Sequence, residues 1–94
     1  NRMTGTDAAR LGLVNRAVPA AELDATVDGL VADLLAGGPE ALAATKQLLV
    51  RVPGMSVDEA FDWTARLSAE LFRGDEAKEG MRAFLEKRPP NWAD

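Results

Sequence analysis

The stretch "EGMRAFLEKRPP", Glu79 to Pro90, carries an aromatic side chain, Phe84, three residues before a lysine, Lys87. Positions three apart on a helix are neighbours, so the spacing predicts a ring and a cation on one face near a helix end. A ring face can stack on a planar base and an ammonium can meet a phosphate, which together suit a nucleotide-bearing ligand. The plainer reading makes Phe84 a core residue and Lys87 a solvated cation that the helix dipole favours. Five of the eleven basic residues (Arg73, Lys78, Arg82, Lys87 and Arg88) follow position 72.

Other residues could do chemistry. Asp58 with Glu59, and Asp75 with Glu76 and Glu79, place carboxylates close together. Acid–base work needs one of them shifted by burial or a like charge. Their places at helix beginnings favour capping and solubility instead. Lys46 lies mid-helix between Thr45 and Gln47, where a stem on an apolar face with its head in water is the usual arrangement. Phe61, Trp63 and Phe72 could line a pocket, yet their helical spacing points to packing, as core or as subunit-interface anchors. Burying one such side chain contributes about 1.5–3 kcal/mol.

The elements that must position these residues are helices. Thr4 and Asp7 have capping-box spacing, and Gly12 suits the C-terminal cap of the short helix between them. "LVNRAVP" has extended character and stops at Pro19. From Ala21 to Ala36, Leu23, Val27, Leu30, Val31, Leu34 and Leu35 mark one helical face. Gly37 and Gly38 end that helix, and Pro39 opens the next, which Pro53-Gly54 breaks. Ser56 and Glu59 form a second capping box. Gly74 interrupts the helix behind it, Asp75 can cap the last helix, and Pro89-Pro90 stops the chain before the tail "NWAD". The pattern predicts an all-α chain of antiparallel helices with short connections.

Composition narrows the functions open to the chain. With 94 residues it is at most one small domain, and 47% apolar residues are too many for disorder. It has neither cysteine nor histidine, which excludes disulfides, thiolate chemistry and imidazole bases within it. The lack of cysteine fits a reducing cytosol, and a cytoplasmic location is expected. A net charge of −4 argues against a general affinity for nucleic acid. The apolar runs are too short to span a bilayer. The opening "NRMTG" lacks a starting methionine and reads as the cut end of something longer.

Taken in order, "DAARLGLVNRAVP", "ELDATVDGLVADLLAGGPEALAATKQLL" and "GDEAKEGMRAFLEKRPPNW" resemble the C-terminal third of the crotonase superfamily, the enoyl-CoA hydratase/isomerase family. The resemblance implies an all-α segment that forms the C-terminal helical part of an α/β crotonase fold. Residues 1–19 would then be the end of the core and a connector, and 20–94 the oligomerisation and CoA-covering region. It implies an acyl-CoA thioester as substrate, no tightly bound cofactor, and a trimer or hexamer. The oxyanion hole and acids of the family lie in an N-terminal part, so no catalytic or metal-binding residue is assigned here. Phe84 and Lys87 carry over as contacts to the adenine and 3′-phosphate of CoA, typically in a neighbouring subunit's site. Gly5, Thr6, Pro89 and Trp92 depart from the family's usual residues. The competing reading is a stand-alone helical self-association module without catalytic activity.

Overall fold

The computed structural model describes residues 2–93, so the ends of the "NRMTG" and "NWAD" segments, Asn1 and Asp94, lie outside the described residues. The chain groups into two compact units, residues 1–33 and 34–94.

In the first unit, helix α1 spans Gly5–Arg10. Thr4 caps it by accepting from the Asp7 N–H, while its own hydroxyl donates to the Asp7 carboxylate at 2.8 Å. Aspartate is one methylene too short to complete a capping box back to the Thr4 backbone, and it pairs with the hydroxyl instead. Gly12, at φ 76°, reverses the chain. The Ala8 carbonyl accepts from Leu13 N–H and the Ala9 carbonyl from Gly12 N–H, which completes a Schellman turn. Residues 13–19 are irregular rather than a strand. A 3-10 turn at Ala20–Glu22 leads into helix α2, Leu23–Leu35, which runs on into the second unit.

The second unit holds helices α3 (Pro39–Arg51), α4 (Val57–Arg73) and α5 (Asp75–Glu86). A 3-10 turn at Val52–Gly54 separates α3 from α4, and Gly74 alone separates α4 from α5. The Ser56–Glu59 capping box forms in full, and hydrogen bonding from the Ser56 backbone N–H, then from its side chain, holds the Glu59 carboxyl below its ordinary value. Asp75 does not cap α5: it is the first helical residue, the cap position is Gly74, and no side chain bonds there. Asp75 pairs with Lys78 at 3.6 Å instead.

The packed centre of this unit is made of small residues. Gly38, Ala44 and Ala83 are the buried positions, and no large side chain is fully buried among the described residues. Ala44 sits with Leu48, Thr64, Leu67 and Leu71 where α3 meets α4. Phe61 and Phe72 are exposed, which overturns the core reading for them. Trp63 is half-buried, with the Arg51 guanidinium 5.5 Å from its ring centre. The apolar stripe of α2 is likewise exposed at Leu23, Val27, Val31, Leu34 and Leu35. These helices are amphipathic, but their apolar faces exceed what 92 described residues can cover in one another.

Candidate functional site

The first turn of α5 is fastened to α3. Glu76 sends its carboxylate across to the start of that helix, where its two oxygens accept from the Glu40 and Ala41 N–H groups at 2.8 and 2.9 Å. Those amides are among the unpaired donors of α3's first turn, and a carboxylate satisfies both while facing the positive end of the dipole. The contact needs glycine at position 38, because a Cβ there would collide with Glu76 Oε1 and displace the carboxylate from its cap. The cleft beside this contact is lined mainly by Ala41, Leu71, Ala77, Gly80 and Trp92, and both oxygens of its Glu76 are already engaged.

The second turn of α5 holds the tail. Glu79 takes a bidentate contact from Arg88, 2.7 Å from Nη1 and 3.1 Å from Nη2, and also accepts from the Asn91 N–H at 3.0 Å. Its side chain is only 16% exposed. The Arg88 hydrogen bonds hold its carboxyl below the ordinary value; burial opposes them and the Asn91 N–H assists. Arg88 also donates to Glu86 at 2.6 Å and to the Pro89 carbonyl at 3.0 Å, and its bonds to Glu79 first and Glu86 second push the guanidinium still further toward the charged form. Trp92 closes the tail. Its ring lies over Gly80, and its Nε1–H donates to the Ala36 carbonyl at 3.3 Å.

Phe84 and Lys87 sit beside this anchorage. Phe84 is in the last turn of α5 and is 83% exposed, which overturns the core reading for it. Met81, three positions before it, and Leu85, one position after it, are exposed too, so the three form an outward apolar strip. Lys87 lies one residue past the helix, not on its last turn. It adopts φ 53°, ψ 43°, the one left-handed non-glycine among the described residues. The Ala83 carbonyl accepts from the Arg88 N–H and the Phe84 carbonyl from the Lys87 N–H, a Schellman turn built on lysine where glycine is the ordinary choice. The neighbouring acid, Glu86, is held by Arg88, and Lys87 has no ion-pair partner among the described residues. Ring and ammonium are thus both open to solvent at one end of α5.

Asp58, Glu59, Asp75, Glu76 and Glu79 form no hydrogen-bonded cluster among the described residues. Glu59 and Glu76 cap helices, and Glu79 binds Arg88. Lys46 is exposed on α3. No group of described residues is arranged to hold a metal ion. The roles of Glu76, Glu79, Arg88 and Trp92 were not read from the sequence. Glu76, Glu79, Gly80 and Ala83 do share helical spacing, and that was the one signal of an inner face.

The enoyl-CoA hydratase/isomerase family model matches residues 1–94. The chain belongs to the enoyl-CoA hydratase/isomerase family. An enoyl-CoA hydratase of Mycobacterium tuberculosis is 33% identical over 90 residues, which cover 96% of this chain and 34% of that protein. A carnitinyl-CoA dehydratase of Salmonella arizonae is 36% identical over 95 residues, 97% of this chain and 36% of the relative. The crystal structure of an enoyl-CoA hydratase/isomerase from Marinobacter aquaeolei superposes with a TM-score of 0.93 at 34% identity, over 100% of this chain and 36% of that one. The chain therefore spans about a third of the length of the relatives it matches. Its all-helical structure corresponds to the C-terminal helical part of the crotonase fold. Family membership gives a reason for the open helix faces: in crotonase-fold relatives these helices are part of a chain nearly three times as long.

Proposed function

We propose that this chain serves as the C-terminal helical part of a crotonase-family enzyme that acts on acyl-CoA thioesters. Phe84 supplies a surface for the adenine ring and Lys87 an ammonium for the 3′-phosphate. Residues 1–19 act as the end of the core, with its short helix, and a connector, and the helices from residue 20 onward cover the ligand and join subunits into a trimer or a pair of trimers, in the cytoplasm. The thioester is the substrate and needs no tightly bound cofactor. Proton transfer and oxyanion stabilisation are the work of groups outside these 94 residues.

The observation that carries this reading is an 83% exposed phenylalanine next to a lysine whose acidic neighbour is already neutralised. A ring with that much open face is suited to stacking, and an uncompensated ammonium to a phosphate. Lys87→Ala in the intact protein should weaken CoA binding about tenfold, the size of one charge-assisted contact, and leave dephospho-CoA binding and the chemical step unchanged. Calorimetric titration with both ligands measures this. Equal losses for CoA and dephospho-CoA would sink the phosphate role.

A second reading, a self-association module without a ligand, is favoured by the exposed Val57, Phe61 and Phe72 on α4. Thermal stabilisation by CoA separates the two, since a ligand bound to the folded state raises the melting temperature by mass action.

A further inference from the structure

A left-handed lysine calls for a cause. Side chains other than glycine disfavour that backbone, and where it persists the surroundings over-determine it. Around Lys87 the over-determination is visible. The backbone N–H groups of residues 87 and 88 both return to the last-turn carbonyls, at 3.3 and 3.1 Å. The Arg88 side chain is then pinned by oxygens of three residues, Glu79, Glu86 and Pro89. Glu79 lies two turns back along α5, so for Arg88 to reach it the chain must reverse at residue 87. A helical Lys87 would carry residue 88 onward around the axis and away from Glu79. The same guanidinium occupies Glu86, the acid next to Lys87, and so keeps it from quenching the ammonium.

We propose that Glu79 and Arg88 are positioning residues for Lys87: the bidentate pair fixes the reversed backbone that aims the lysine beside Phe84, and Arg88 holds the adjacent carboxylates off it. This rests on the nucleotide-binding reading above. Neither residue is assigned contact with the ligand, so each acts through Lys87.

Two variants test it in the intact protein. Glu79→Gln breaks the pair without releasing an acid, and Arg88→Gln breaks it and frees both Glu79 and Glu86. One readout is the intraresidue HN–Hα Overhauser effect of residue 87, which is strong for a left-handed residue. The other is the ratio of affinities for adenosine 3′,5′-bisphosphate and 5′-AMP, which isolates the 3′-phosphate. The wild type should show the strong Overhauser effect and a ratio of about tenfold. Both variants should lose the effect and bring the ratio down to that of Lys87→Ala, Arg88→Gln at least as far as Glu79→Gln. General destabilisation of the helices would weaken both nucleotides together and leave the ratio unmoved. A preserved Overhauser effect in both variants overturns the proposal whatever the ratio does. A wild-type ratio of one, with the effect still lost in Glu79→Gln, instead sinks the nucleotide reading and leaves the backbone device supported.

Discussion

Single residues at the two ends of α5 carry opposite kinds of constraint. Against the start of it, Gly38 leaves room for the cap: its own φ of −63° suits any residue, but a Cβ would strike the Glu76 carboxylate and push it aside. Gly38→Ala should therefore cost about 1–3 kcal/mol in urea unfolding. The cost should shrink markedly in a Glu76→Ala background, where the obstacle is gone and only the cap is missing. Additive losses in that double-mutant cycle would show that the clash is not the cause. At the far end, Lys87 is constrained in conformation, not space. Lys87→Gly should raise the unfolding free energy by about 0.5–1 kcal/mol, because glycine adopts φ 53° without the steric penalty. Lys87→Ala keeps that penalty and should not stabilise. A protein that gives up stability to keep lysine there is one in which the lysine has another use.

At the scale of elements, α5 and the tail are joined through Glu79, and that joint titrates. The carboxyl lies below its ordinary value of 4.5 when folded, so the contact contributes fully above that pH and is lost as pH falls through the lower folded value. The charged and polar groups facing it are Arg88, the Asn91 N–H and, more distantly, Arg82. Acidification below about 4.5 should release the tail and lift Trp92 from Gly80, which a shift in Trp92 emission would report in a Trp63→Phe background. Glu59 is displaced the same way by Ser56, so fraying at the start of α4 belongs to the same acid window. An emission change centred well above pH 5 would contradict the assignment to Glu79.

At the scale of the whole molecule, the open apolar faces dominate. Val57, Phe61 and Phe72 on α4 and Met81, Phe84 and Leu85 on α5 are exposed, while the only buried positions among the described residues are small. Apolar faces of that extent are the kind of surface that a longer chain or a second copy covers. Phe61→Glu should shift sedimentation toward smaller species and leave the helical circular dichroism intact, since Phe61 contributes little to internal packing. An unchanged sedimentation profile would remove α4 from the association surface. The sequence by itself determined the helices and their limits: Gly12, Pro39, Pro53-Gly54, Gly74 and the Ser56–Glu59 box act within a few residues, where spacing and backbone preference decide. It also carried the family, through motifs spread over nearly the whole chain. Only the tertiary structure decided that Glu76 caps a helix 36 positions back, that Trp92 bonds to Ala36, that Glu79 reaches Arg88 around a reversed Lys87, and that Phe84 faces outward. Those pairings join residues far apart along the chain or across a turn, and helical periodicity reports which residues share a face without saying what, if anything, lies against it.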